Sequence, residues 1–232
     1  YSFIGLPART LLRASGFGEA AKTEVVTDGV VVETHAGNPL DFVADYQKRF
    51  KVALRQGLPR FCGGLAGYFG YDTVRHIEKK LVHSCPPDDL GMPDILLLQT
   101  EELAVIDNLS GKLSLIVYAD PAQPNAYAKA HARLAELKLR LKAPAQAPSI
   151  APCASHPAER SFAKDDYLAA VLRAKDLIAA GDFMQVQVGQ RIHKKFTASP
   201  LSLYRALRSL NPSPYMYYYN LGDAYVVGAS PE

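Results

Sequence analysis

Few of the residues here that could do chemistry stand at a spacing that chemistry requires. The most distinctive run is Asn211-Pro212-Ser213-Pro214-Tyr215-Met216. Its two prolines fix φ and remove two backbone donors, so the carbonyls and the amides of Tyr215 and Met216 leave a rigid corner in defined directions. Such a corner suits a small amphoteric ligand, whose ammonium seeks carbonyls while its apolar part seeks an aromatic ring and a soft thioether. The same run also reads as a plain structural turn. Upstream, Gln185, Gln187 and Arg191 alternate with Met184, Val186 and Val188, the pattern of a strand with one polar face. A solvated or interdomain surface is the preferred reading of that face, and a pocket wall is the alternative.

Other constellations fail on context. His83, Cys85, Asp88 and Asp89 carry metal-ligand atoms, but Pro86 and Pro87 interrupt them and no second ligand pair follows at finger-like spacing. Gly16-Phe17-Gly18-Glu19-Ala20-Ala21 has the form of a dinucleotide fingerprint, yet that motif needs a strand before it and a helix after it, and a hairpin follows. His35, His76, His131, His156 and His193 sit in unrelated contexts, and no serine occupies a G-x-S-x-G elbow, so no hydrolase is indicated. Cys62, Cys85 and Cys153 are odd in number and widely spaced, which fits neither a disulfide framework nor a paired-thiolate zinc site. A reducing cytoplasm is the simplest setting for them.

The elements that must position these residues come from a chain of 232 residues, 48% of them apolar, enough for one large domain or two small ones. Net charge is +3, from 26 basic and 23 acidic side chains spread along the length, so no charged footprint marks a nucleic-acid or membrane partner. The longest apolar run, around Ile95 to Leu98, is far short of the roughly 20 residues that span a bilayer. Tyr1-Ser2-Phe3-Ile4-Gly5-Leu6-Pro7 shows no export leader and reads as a strand cut within a domain.

Glu24 to Glu33 places two β-branched arms around Asp28-Gly29, the signature of a type I′ hairpin. Asn38-Pro39 then looks like an N-cap and first helical residue, and Phe42, Tyr46, Phe50 and Leu54 recur every four residues up to Gly57. Phe61 to Asp72 alternates small residues with aromatics, as strands in close backbone contact do; tight strand packing is the preferred reading of its glycines, and no site is assigned to it. Strands are expected over Asp94 to Gln99, Leu103 to Asp107 and Leu113 to Tyr118, and a helix over Asn125 to Lys142 with Tyr127, Ala130, Leu134, Leu137 and Leu141 as its apolar stripe. Pro144, Pro148, Pro152 and Pro157 mark a linker. Beyond it come a helix over Lys164 to Ala180 capped by Gly181, a strand over Phe183 to Ile192 and a helix from Ser199-Pro200 to Leu210. Two strands follow, Tyr215 to Tyr219 and Ala224 to Ala229. Helices alternating with antiparallel hairpins predict an α+β fold rather than a doubly wound parallel sheet.

Three stretches, in order along the chain, carry a family resemblance. Phe61 to Asp72, ending in Gly67-Tyr68-Phe69-Gly70-Tyr71-Asp72, resembles the glycine-aromatic signature of anthranilate synthase component I and its relative aminodeoxychorismate synthase. Lys175 to Arg191, with Ala179-Ala180-Gly181-Asp182-Phe183 and Gln190-Arg191, is similar to the opening of their chorismate-binding domain. Asn211 to Met216, followed by Gly228-Ala229-Ser230-Pro231-Glu232, resembles the next block of the same enzymes. The resemblance implies antiparallel sheets with outer helices in two units: an N-terminal component I domain over 1–142, a proline-rich linker over 143–160, and the start of a chorismate-binding domain over 161–232.

It also implies an activity. The family's large subunit is a lyase of tryptophan biosynthesis that converts chorismate to anthranilate with ammonia from a glutamine amidotransferase subunit. Mg²⁺ bridges the substrate carboxylate, and L-tryptophan inhibits by feedback. Pro214, Tyr215 and Met216 match the family's inhibitor-binding segment; a Leu-Leu-Glu-Ser stretch that completes it is expected before Tyr1. The catalytic base, the chorismate-binding arginine and tyrosine, and the two Mg²⁺-ligating glutamates are expected beyond Glu232. No catalytic or metal residue is therefore expected within 1–232, and the isolated chain is expected to be inactive, a module for tryptophan and the amidotransferase. Aminodeoxychorismate synthase, of the folate pathway, is the alternative; Pro-Ser-Pro-Tyr-Met favours the anthranilate enzyme.

Overall fold

The computed structural model describes residues 1–145 and 154–232, in two compact units, Tyr1–Pro144 and Ala145–Glu232. The middle of the expected linker, 146–153, lies outside the described residues.

The first unit holds β1 (Ser2–Gly5), β2 (Thr10–Ser15), β3 (Lys22–Thr27), β4 (Val30–Ala36), α1 (Pro39–Lys48), β5 (Gly64–Phe69), β6 (Ile95–Thr100), β7 (Glu102–Asp107), β8 (Lys112–Val117) and α2 (Ala126–Arg140). Its strands form a five-stranded sheet in the order β4-β3-β2-β6-β5 and a three-stranded sheet β1-β7-β8. Every pairing is antiparallel. The chain passes from the larger sheet to the smaller through the single residue Glu101, between β6 and β7. The β3–β4 turn has φ of 50° at Asp28 and 82° at Gly29, the paired positive angles that a type I′ turn demands. Arg9 clasps the Asp28 carboxylate at 2.6 Å.

α1 begins as its sequence predicts: Asn38 Oδ1 accepts the Leu40 amide at 3.0 Å, and Pro39 occupies the first turn, where its missing donor costs nothing. Phe42, Val43 and Tyr46 bury one face against Leu12, Ala14, Val25, Ile95 and Leu97. Each such side chain contributes about 1.5–3 kcal/mol. The helix stops at Lys48, well before Gly57. Phe50 is 47% exposed and Leu54 70% exposed, so the four-residue recurrence outruns the surface available to bury it. α2 likewise forms over nearly the expected span, but only Leu137 of its apolar stripe is buried, and Tyr127 is 81% exposed. A two-pronged ion pair from Arg133 to Glu102, at 2.9–3.1 Å, ties the helix to β7.

In the glycine-aromatic run only Gly64–Phe69 is strand, and Tyr71–His76 coils into a 3-10 turn. A Cβ on Gly67 would collide with the Leu96 carbonyl oxygen and stand 2.9 Å from both Leu96 C and Leu97 Cα. Here glycine is what lets β5 lie on β6.

The second unit holds β9 (Ala158–Arg160), α3 (Lys164–Ala180), β10 (Ile192–Lys194), α4 (Pro200–Leu210), β11 (Tyr215–Asn220) and β12 (Tyr225–Ser230). α3 ends on Gly181 at φ 87°, the left-handed cap its sequence calls for. β9 pairs with β10 and β11 with β12, both antiparallel. The strand expected from Phe183 shrinks to Ile192–Lys194. Residues 183–191 have no ladder, and Met184 is 97% exposed. The α+β class with antiparallel sheets and helices is the architecture that the sequence predicts.

Candidate functional site

The proline corner stands between α4 and β11. α4 closes with the Asn211 amide donating to the Leu207 carbonyl at 2.8 Å, and Pro212 cannot extend the helix. β11 opens at Tyr215, which pairs with Ser230, and Met216 pairs with Ala229. The corner and the Gly228-Ala229-Ser230 stretch, in successive strands of one hairpin, thus meet across one ladder.

Strand alternation then divides the side chains. Tyr215, Tyr217 and Tyr219 share one face, and Met216 and Tyr218 share the other. Tyr217 and Tyr219 lie with ring centroids 5.9 Å apart, and Tyr217 crosses Gly228 so closely that a Cβ there would stand 2.6 Å from its Cε2. On the opposite face Tyr218 meets Tyr204 of α4 at 6.0 Å and Tyr225 at 5.8 Å. Burial holds the Tyr218 phenol above its ordinary value, with the Tyr225 phenol adding to the effect, so it stays a neutral hydrogen-bonding group. Tyr215 is 62% exposed, Pro214 is exposed and Met216 half-buried.

The structure therefore sets Pro214, Tyr215 and Met216 side by side in the chain, with the last two side chains directed to opposite faces. A ligand on one face of the ribbon meets one of those side chains together with the corner's backbone. The arrangement can bind.

Gln185 and Gln187 are exposed on a segment without strand pairing, so the polar strand face read from their alternation does not form. The amide of Arg191 donates to Ser161 Oγ at 2.9 Å. In the first unit the Asp88 carboxylate accepts the amides of Leu90 and Gly91, at 2.9 and 3.2 Å. Among the described residues no group of three or more His, Cys, Asp or Glu is arranged to hold a metal.

Two features escaped the sequence reading. Asp94 is a hub: its amide donates to Ala14 O, its carbonyl accepts the Gly70 amide, and its carboxylate accepts the Gly16 amide at 3.0 Å. Burial raises the pKa of its carboxyl and lowers that of the neighbouring His76, whose Nε2 is buried with no hydrogen-bond partner among the described residues. The second is a cleft of about 260 Å³ where the ends of the two sheets of the first unit meet α1, lined by Tyr46, Leu65, Gln99, Glu101 and Tyr118 among others. Neither has a local pattern; both assemble from residues far apart in the chain.

With this geometry in view, the comparisons with known proteins are direct. The profile of the chorismate binding enzyme family matches residues 7–232. The chain belongs to that family. It is 48% identical over its whole length to anthranilate synthase component 1 of Neisseria meningitidis serogroup B, of which it covers 47%. To the Pseudomonas aeruginosa protein of the same name it is 49% identical, covering 48%, and to that of Thermus thermophilus 40%, covering 47%. The crystal structure of anthranilate synthase component I from Streptococcus pneumoniae TIGR4 superposes with a TM-score of 0.76 at 28% identity, over all of this chain and 50% of that one. The chain spans about half the length of these relatives. No helix among the described residues is long and apolar enough to cross a membrane.

Proposed function

We propose that this family member serves as the large component of an anthranilate synthase. In this reading it converts chorismate to anthranilate with ammonia supplied by a glutamine amidotransferase subunit, as a lyase at the entry to tryptophan biosynthesis in the cytoplasm, under feedback inhibition by L-tryptophan. The observation that carries the reading is the match of the whole chain, at 48% identity, to proteins named anthranilate synthase component 1. Mg²⁺, held like the catalytic base by residues outside 1–232, would supply charge stabilisation at the substrate carboxylate in this reading. These 232 residues contribute scaffold and part of the inhibitor site. The domain division over 1–142, 143–160 and 161–232 belongs to the same proposal.

In the inhibitor site, Pro214 fixes the direction of the carbonyls, and Tyr215 and Met216 offer apolar contact on either face of β11. An inhibitor acts through its different affinity for two conformations, so removing its contacts should abolish the shift and leave the active conformation's own groups alone. The test uses the full-length protein with chorismate, ammonia and Mg²⁺, following anthranilate by fluorescence with and without L-tryptophan. Met216→Thr or Tyr215→Ala, according to which face of β11 the inhibitor occupies, should weaken tryptophan inhibition about 10- to 200-fold, the equivalent of an apolar contact of about 1 to 3 kcal/mol, and both should leave uninhibited turnover nearly unchanged. Formation of aminodeoxychorismate in place of anthranilate would move the protein to the folate-pathway relative. Wild-type tryptophan sensitivity in both variants would remove the sensing role from the corner.

A further inference from the structure

We infer that the cleft at Glu101 is a binding site for a small organic cation, an amine carried on a flat aromatic or aliphatic body without a carboxylate. The site is built by the crossing of two sheets. Gly64 opens β5 opposite Thr100, the last residue of β6; Glu101 is the single residue between the sheets, and its carbonyl accepts the amide of Tyr118, just past the end of β8. Its backbone is thereby pinned, and the carboxylate is held at the cleft.

A hydrogen-bonded relay sets the direction of that carboxylate. Glu101 can only accept when ionised, so the Gln99 amide must turn its Nε2 toward it and its Oε1 toward Tyr46. The distances fit this assignment: Gln99 Nε2 donates to Glu101 Oε1 at 2.6 Å, and Tyr46 donates to Gln99 Oε1 at 2.7 Å. Tyr46 is buried at the base of the relay, and burial raises its phenol above the ordinary range, so the hydroxyl remains a donor. Glu101 Oε2 has no hydrogen-bond partner among the described residues.

The walls are aromatic and aliphatic. Tyr118 lies against Gly63, where a Cβ would stand 2.7 Å from its Cζ and from its hydroxyl oxygen. Burial and the neighbouring Cys62 thiol push its phenol up to about 12, so this wall is uncharged. Leu65, Phe50 and Val52 complete the apolar lining. The volume of about 260 Å³ lies below that of drug-sized pockets and suits a ring with a short chain.

Charge decides the class of occupant. The lining holds Glu101 and neither lysine nor arginine. Arg9, outside the lining, feels the Glu101 charge, but within the cleft a carboxylate-bearing guest would meet only a like charge, whereas an ammonium would find Glu101 Oε2 at the end of an aromatic slot. The substrate and the inhibitor proposed above both carry carboxylates, so this ligand is neither of them and the inference stands independently of that reading.

The test titrates the full-length protein with phenethylamine, phenylacetate and phenylalanine, following the amide resonances of Gly63 and Gly64 by NMR together with calorimetry. Phenethylamine should bind saturably and move both glycine signals, and phenylacetate should not. Glu101→Gln keeps an acceptor for Gln99 and the shape of the cleft, yet should weaken phenethylamine about 10-fold or more, as expected when a charge-assisted hydrogen bond is lost. Phe50→Ser, at an exposed wall position, should weaken it without unfolding the protein. Any of three results overturns the inference: no saturable binding of phenethylamine up to on the order of 10 mM, equal binding of phenylacetate, or unchanged affinity in Glu101→Gln.

Discussion

Gly67→Ala separates a packing reason for the glycine-aromatic run from a ligand-binding one. Gly67 faces Leu97 in the β5–β6 ladder, and an added methyl would collide with the Leu96 carbonyl oxygen and stand 2.9 Å from two further backbone carbons. Carbon atoms are comfortable at roughly 3.5–4.0 Å, so the strands must part by at least ~0.6 Å for those carbons alone, and farther for the oxygen. Leu96 and Leu97 are buried, which leaves the edge strand β5 as the element that moves. Overpacking costs about 1–3 kcal/mol, and each ladder bond stretched beyond range costs about 1 kcal/mol more. The expected loss is therefore about 3–5 kcal/mol, a fall in Tm of roughly 6–20 °C for a chain of this size. Gly5→Ala in β1 is the control: its methyl would meet only Thr100 Cγ2 at 3.8 Å, an ordinary contact, so its stability should stay within about 1 kcal/mol of wild type. Urea unfolding followed by circular dichroism measures both. A Gly67→Ala protein within about 1 kcal/mol of wild type would refute the packing argument and favour a ligand-contact reading of the run instead.

The remaining expectations concern stability and its pH dependence. Tyr46→Phe removes the donor to Gln99 Oε1 from a buried position and should lower stability by about 1 kcal/mol in the same unfolding assay; no change would mean the bond is not formed in solution. Arg133→Met detaches α2 from Glu102 and should lower the urea midpoint, by less in high salt, whereas a salt-independent loss would point to packing instead. Burial lowers the His76 pKa from its ordinary 6.5, so the unfolded chain takes up that proton first as pH falls. Stability from this group is present above about pH 6.5 and drains away below it; the raised Asp94 acts in the opposite sense in a lower window, nearer its ordinary 3.8. His76→Gln should flatten the change in urea midpoint between about pH 7.5 and 5.5, and an unaltered slope would refute the assignment.

What was legible in the sequence was what neighbours in the chain decide. Asn38-Pro39, Asp28-Gly29 and Gly181 each specify a cap or turn through their own φ preferences, and the structure uses all three. Extents were less legible, because they depend on surfaces supplied from elsewhere. Leu54 continues the period of α1, and Tyr127 that of α2, yet both stand largely in solvent. The Glu101 cleft was illegible for the same reason: Tyr46, Gln99 and Tyr118 come together only after two sheets have formed.

The segment from Phe183 to Arg191 shows the distinction at its sharpest. Met184, Val186 and Val188 alternate with polar residues as a half-buried strand should, but a strand is completed by a ladder, and alternation says nothing about the partner. Only Ile192–Lys194 finds one, in β9, over three residue pairs. An alternating segment left without a ladder must satisfy its amides by water or side chains, and Met184 stands almost wholly in solvent. The pairing Tyr215↔Ser230 is the converse case. There two short strands face each other across the Asn220 to Asp223 turn, local enough for the sequence to name both partners, and the corner that holds the proposed inhibitor contacts is fixed by that closeness rather than by its prolines alone.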